Sequence, residues 1–206
     1  MKLSDNEFNF RTILNKLIIF KDRNRAEGLL KQKFNANSDS IITYCYIDEQ
    51  CGITFEYLCP FNIDKKALFV QKDKDYSHKI RFGAVLDYEI LIIDSGKTGD
   101  IEIDKWIDII NEYYDKNEFI RELRNYNILD PLRVRDFPDD IFISLYKNGL
   151  GGEGMYAKLW KKEGDKIFGK LLNEPNQNFG VHLNDIVELS FSKDNDGKLI
   201  CFCEVE

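Results

Sequence analysis

The chain has no long apolar run, little proline, no paired-cysteine spacing and no surplus of basic charge, and each absence removes a class of protein. No apolar run approaches the roughly 18 residues that crossing a bilayer requires. The opening stretch MKLSDNEFNFRTILNKLIIF holds no uninterrupted apolar segment and no small-residue cleavage site, because Arg11, Asn15 and Lys16 interrupt it. The expectation is a cytoplasmic protein with no membrane association. Proline occurs only 4 times against 15 Phe and 10 Tyr, which excludes a proline-rich linker and fits a packed globular chain.

Five cysteines, Cys45, Cys51, Cys59, Cys201 and Cys203, form no C-x-x-C and cannot all pair, so they fit reduced, buried thiols better than a disulfide framework. Cys201 and Cys203 would share one strand face, but no second pair completes a thiolate site, and no metal or cofactor is expected. Lys and Arg number 29 against 36 Asp and Glu, a net charge of -7. A nucleic-acid binder gains affinity by replacing counterions with basic side chains, so that class is disfavoured. An acidic surface would instead steer a basic protein partner.

What is present reads as two α+β parts. Phe10, Ile13, Leu14 and Leu17 follow helical spacing, and Ala26, Leu29 and Leu30 lie on another face, which predicts two helical phases broken near Asp22 to Asn24. Lys21, Arg23, Arg25, Lys31 and Lys33 form either a binding face or a solvated helix surface. From Ser40 the period changes to two: Ser40–Ile47 and Cys51–Leu58 read as a hairpin, followed by strands at 67–71 and at 79–94, the last broken near Gly83 or Asp87. Asp94-Ser95-Gly96-Lys97-Thr98-Gly99 contains Gly-Lys-Thr, but the first glycine of a phosphate loop is replaced by Leu91, which leaves a turn into a helix cap. That helix carries Ile103, Trp106, Ile107, Ile110 and Tyr114 at core spacing with Asp100 as cap, and a short helix with Phe119, Ile120 and Leu123 follows.

Asp130-Pro131 and Phe137-Pro138 then bracket an Arg-containing connection, which places a boundary between residues 1–130, an antiparallel sheet packed by helices, and 131–206. Five strands are predicted in the second part, at 141–146, 155–161, 166–172, 186–192 and 198–204, forming a small curled sheet or barrel.

Within that part, Gly151-Gly152-Glu153-Gly154-Met155-Tyr156, Gly164 to Pro175 and Asn184-Asp185-Ile186-Val187 stand out. They resemble a bacterial family of uncharacterised domains with the pattern G-E-x-M-W-V-x-V, then G-D-x-I-x-G-x-L-x-N-x-P, then G-D-x-V. The likeness covers residues 137–206 and departs at Tyr156 (usually Trp), Gly154 (usually larger) and Asn184 (usually Gly). Such domains are often found beside toxins, and the resemblance implies an immunity role: a non-enzymatic protein that occludes a cognate toxin. Residue by residue, turns, a bulge or close approach at Gly169, and strand alternation account for most of the pattern.

The partner-binding candidates are the acids Asp139, Asp140, Glu153 and Glu174, taken as loop residues that could mimic an acidic substrate. His182 with Glu153 or Asp185 forms the alternative polar site, that of a small hydrolase or metal-dependent enzyme, although no clustered metal-ligand spacing accompanies it. No nucleophile, base and orienting group come together in the sequence, so catalytic residues are not assigned.

Overall fold

The computed structural model describes residues 2–5, 8–34, 36–70, 78–115 and 117–205. The chain divides into two compact units, Met1–Lys116 and Asn117–Glu206.

The first unit is an antiparallel sheet with helices. Its strands are β1 (Leu17–Lys21), β2 (Ser40–Asp48), β3 (Gly52–Asn62), β4 (Ala67–Leu68), β5 (Lys79–Arg81) and β6 (Ile90–Ile93), in the order β4-β3-β2-β1-β6, with β5 also on β3. The β2–β3 hairpin forms as expected, its loop fixed by the Asp48 carboxylate, which accepts the amides of Gln50 and Cys51 at 3.0 and 3.2 Å. The predicted strand at 67–71 shrinks to two residues, and Gln71 lies outside the described residues.

Both faces of this sheet are covered. Ile18, Phe20, Ile41, Phe55 and Tyr57 pack towards helix α1 (Arg23–Leu30), while Leu17, Ile19, Ile42, Tyr44 and Tyr46 pack with Ile103, Ile107 and Ile110 of helix α2 (Ile101–Tyr114). A bulge in the β2–β3 register places Tyr57 opposite Thr43 and Cys59 opposite Ile42, so Leu58 is extra. Past it, Cys59 and Phe61 join the α2 side, although Ile53, Phe55 and Tyr57 face the other way.

The opening segment departs from the helical expectation. Phe10–Thr12 is a single 3-10 turn, Leu17–Lys21 is a strand in the middle of the sheet, and only Arg23–Leu30 is helical. A strand buried on both faces carries a continuous apolar run, here Leu17-Ile18-Ile19-Phe20, whose pattern imitates a helix segment. The break falls where expected: Asp22, at φ 74°, turns the chain and caps α1 by accepting the Arg25 amide at 3.2 Å. Four of the five basic residues there form internal contacts. Arg23 and Lys33 both reach the buried Glu27 at 2.8 Å, Lys21 pairs with Glu89, and Arg25 lies 4.1 Å over the Tyr88 ring.

α2 is capped as predicted by Asp100, which accepts the Glu102 and Ile103 amides at 3.0 Å. The Gly-Lys-Thr turn donates the Thr98 and Gly99 amides to the Asp104 carboxylate in the first turn of α2. Trp106, expected in the core, is 39% exposed on the flank of the helix.

The second unit is a closed barrel of β7 (Asp140–Lys147), β8 (Glu153–Glu163), β9 (Lys166–Leu171), β10 (Ile186–Lys193) and β11 (Leu199–Val205). All five predicted strands are found. Neighbours along the chain pair antiparallel, and the odd strand number makes the closing pair, β11 with β7, parallel, with Phe202 opposite Ser144. Inward residues fill the barrel, among them Ile143, Met155, Leu159, Leu171, Val187 and Cys201. Gly169 is required by close approach, since a Cβ there would stand 3.0 Å from both Ala157 Cβ and Leu189 Cδ1.

The unit begins earlier than the expected boundary at residues 130 and 131. Helix α3 (Glu118–Arg124) and the 3-10 segment Asn127–Leu132 contribute Leu123, Leu129 and Leu132 to the barrel core. Arg133 fastens this lead-in by donating to the carbonyls of Leu123, at 2.6 Å, and Pro138. The proline-bracketed connection is therefore an internal corner of the second unit.

Candidate functional site

The expected acids separate into two kinds once placed. Asp139 and Asp140 are buried, not on a surface loop. Arg124 of α3 grips Asp139 through two bonds, Nε to Oδ1 at 2.9 Å and a terminal guanidinium nitrogen to Oδ2 at 2.7 Å. Asp140 opens β7 and pairs with Lys158 opposite it on β8 at 2.7 Å. Burial pushes the Asp140 carboxyl above its ordinary value, and the Lys158 ammonium pulls it back. Charges held this way are unavailable to a partner, which removes both residues from the proposed binding set. The reason is a basic partner for each that no local spacing announces.

Glu153, Glu174, His182 and Asp185 are at the surface, where they organise the long β9–β10 connection. Glu153, at the start of β8, accepts the Asn176 amide at 2.8 Å and the Gln177 amide at 3.2 Å, bonds that hold its carboxyl below the usual range. Glu174 contacts His182 Nδ1 at 2.7 Å and accepts the Leu183 amide at 2.7 Å. Asp185 accepts the His182 amide at 2.8 Å. Between these anchors Phe179, fully buried, enters the barrel core, and Lys147 donates to its carbonyl at 3.0 Å. Three carboxylates thus take up backbone N–H groups that a loop of this length would otherwise leave to water.

Asn184 takes φ 75°, a left-handed conformation that Asn tolerates at a turn better than most residues. Glu174, His182 and Asp185 are joined by direct contacts, and Glu153 reaches the same loop through Asn176 and Gln177. It is Glu174, rather than Glu153 or Asp185, that orients the imidazole. Glu174 raises the His182 pKa and its own is lowered in return, which favours an imidazolium–carboxylate contact. Among the described residues, no group of three or more His, Cys, Asp and Glu could hold a metal ion. The thiols of Cys201 and Cys203, inside the barrel, are pushed up to about 12 and about 11 by burial, the opposite of an activated nucleophile.

A surface not foreseen from the sequence lies on the outside of the barrel. Phe142 and Tyr146 of β7 and Tyr156 of β8 are each close to half exposed. Phe142 and Tyr156, opposite one another in register, meet edge to face at 5.7 Å, and Tyr146 meets Phe202 of β11 at 6.3 Å. Two glycines make the shelf on which the rings lie. A Cβ at Gly154 would stand 2.7 Å from Phe142 Cζ, and one at Gly152 would stand 2.6 Å from Tyr146 Cε1. The signal was in the alternation, which turns Phe142 and Tyr146 outward once Ile141, Ile143 and Leu145 face in. The absence of a side chain at Gly154 admits the Phe142 ring. No family model, no curated protein and no solved structure matches this chain.

Proposed function

We propose that the chain is a cytoplasmic bacterial protein-binding module of the immunity type, which neutralises a cognate toxin by covering it. The observation that carries this reading is the aromatic face of the barrel, Phe142, Tyr146 and Tyr156 with Phe202 beside them. Large rings held on a rigid sheet bring contact area at small entropic cost, and such rings dominate the energetics of protein interfaces. Their packing over Gly152 and Gly154 keeps them in place without burying them. The motif likeness over residues 137–206 supports the same reading and supplies the toxin as the class of partner.

Electrostatic mimicry by Asp139, Asp140, Glu153 and Glu174 is replaced by shape and aromatic contact, because all four carboxylates are engaged within the chain. Four of the barrel's lysines, Lys158, Lys161, Lys162 and Lys166, each pair with a carboxylate, which reduces the positive charge open to a nucleic acid. No helix among the described residues is long and apolar enough to cross a membrane.

Co-expression with the product of a neighbouring toxin gene tests the proposal. The wild-type chain should restore growth, and a Phe142→Ala, Tyr156→Ala double variant that melts like wild type should not; equal rescue by both would remove the aromatic face from the function. A second reading rests on the 2.7 Å Glu174–His182 contact, which orients an imidazole as a general base is oriented. It requires turnover of an ester or phosphoester substrate that disappears in His182→Ala.

A further inference from the structure

The aromatic face of the barrel is built as two notches, not as a flat platform. Phe142 and Tyr156 stand at 75° to one another with centroids 5.7 Å apart, and Tyr146 and Phe202 stand at 69° and 6.3 Å. A sugar ring or a nucleic-acid base stacks on a flat ring face, whereas an angled pair receives a compact, non-planar group such as a pyrrolidine. Phe142 faces Tyr156 in register, and Phe202 lies opposite Ser144, two residues short of Tyr146. The notches are therefore about three residues apart along β7, about 10 Å at 3.3 Å per residue. Three residues of polyproline II, one full turn, cover about 9 Å.

The polar groups on this face favour the same conformation. Among the described residues the hydroxyls of Tyr146, Tyr156 and Ser144 have no hydrogen-bond partner, and none of the three residues is buried. A polyproline II segment has no internal hydrogen bonds, so its carbonyls are open to such donors. A helix satisfies its carbonyls internally, and the closed barrel has no sheet edge to which a strand could be added.

The two ends of the face differ in charge. At the Tyr146 end Glu204, opposite Tyr146 in register, is exposed and makes no salt bridge among the described residues. Lys147 and Glu153 border that end with opposite charges, Lys147 bound to the Phe179 carbonyl and Glu153 to the Asn176 and Gln177 amides. At the Phe142 end Asp140 pairs with Lys158, while Lys170, opposite Lys158 on β9, lies 5.2 Å over the Trp160 ring and adds a positive charge. Arg135, on the corner before β7, has the same sign and is engaged within the chain. A basic residue of a ligand is therefore favoured beside Glu204 and disfavoured at the other end.

Resting on the reading of this face as a docking surface, we infer that its occupant is a proline-rich segment of the partner protein in polyproline II conformation. Prolines fill the two notches one turn apart, and a lysine or arginine of the same segment lies beside Glu204.

The test is a titration of the ¹⁵N-labelled full chain, read at the amides of Ser144, Gly154 and Tyr156. The probes are a Pro-Leu-Pro repeat of roughly ten residues, about three turns, ending in arginines, the same repeat ending in glutamates, and a Gly-Ser peptide ending in arginines. The arginine-ended proline peptide should give saturable shifts, the glutamate-ended one should bind more weakly, and the Gly-Ser peptide should give none. Tyr156→Ala should weaken binding by about ten-fold or more. Glu204→Gln should weaken it by about two- to five-fold and flatten its salt dependence. Both variants alter exposed side chains, and unchanged melting confirms that the fold is kept.

Equal shifts with the Gly-Ser peptide, or full affinity in Tyr156→Ala, overturn the inference. So does saturable binding at these amides of a Leu–Lys helical peptide, a glucan oligosaccharide or single-stranded DNA with no response to the proline peptide, which would make the occupant a helix, a sugar or a nucleic acid. If the proline peptide fails while a toxin still binds through Tyr156, the proline-rich occupant is ruled out and the toxin reading stands. If the peptide binds as expected and no toxin does, the toxin reading falls and the proline-rich occupant stands.

Discussion

Replacing Asp139 by alanine distinguishes a structural acid from a recognition acid. The carboxylate is buried, receives two hydrogen bonds from the guanidinium of Arg124 at 2.9 and 2.7 Å, and ties α3 to the start of the barrel. Deleting it takes the carboxylate partner from the Arg124 guanidinium, whose side chain is only 8% exposed. Breaking a buried pair by removing one partner costs about 3–5 kcal/mol, whereas a surface acid costs within about 0.5 kcal/mol. For a unit of this size each kcal/mol moves the melting temperature by about 4–8 °C, so the expected loss is about 12–40 °C.

The assay is urea or thermal unfolding followed by a near-ultraviolet or tryptophan signal from Trp160 in the barrel. A double-mutant cycle with Arg124→Met and Asp139→Leu completes it. The double variant should regain most of the stability lost in either single one, because an apolar pair of similar volume no longer leaves one charge without the other. An Asp139→Ala chain that unfolds at the wild-type midpoint, or a double variant whose loss is the sum of the two singles, would refute the pairing.

Other consequences follow from the same contacts. Gly154→Val places a side chain where Phe142 Cζ lies 2.7 Å from a new Cβ, so the ring must leave its shelf; the barrel should still form by circular dichroism, with partner binding reduced at least about ten-fold. The Glu27 carboxyl is held down to about 2 by hydrogen bonds from Lys33, the Phe34 amide and Arg23; its contribution is fully present above the ordinary carboxylate value and is lost as pH falls towards 2. Melting between pH 5 and 2 should therefore drop more steeply in wild type than in Glu27→Gln. The Glu174–His182 contact has a two-sided window: the raised His182 contributes below its unfolded value near 6.5 and is lost as pH rises past its folded value, while the lowered Glu174 contributes above about 4.5 and is lost as pH falls. Exchange of the Leu183 amide, which donates to Glu174, should be slowest between those limits, and His182→Ala should remove the upper limit while keeping the lower one, after correction for intrinsic exchange.

Local chemistry made much of the fold legible. The five barrel strands, the β2–β3 hairpin and the Asp100 cap of α2 are each set by neighbours within a few residues, so period and turn signals locate them. What escaped depends on distant partners. β1 looked helical because its sheet neighbours, β2 and β6, begin well downstream, and its two faces are buried against separate cores, one shared with α1 and one with α2. The buried state of Asp139 is decided by Arg124, in a different element, and the start of the second unit by leucines whose shared burial no spacing reveals.

The site was legible in a similar proportion. The stretch from Gly151 to Val187 does carry the loop anchors Glu153, Glu174, His182 and Asp185, yet their carboxylates bind amides of the same loop rather than facing outward as a set. The outward aromatic face needed the barrel to close before the alternation of β7 could be assigned an inside and an outside.

Titration calorimetry of the purified chain against the cognate toxin that the proposal requires addresses the central claim most directly. The account predicts a one-to-one complex with wild type, weakened by at least about ten-fold in Tyr156→Ala and still further in Phe142→Ala with Tyr156→Ala, while Glu153→Gln leaves affinity within about two-fold. Full affinity in the aromatic variants, or no complex with wild type, would contradict it.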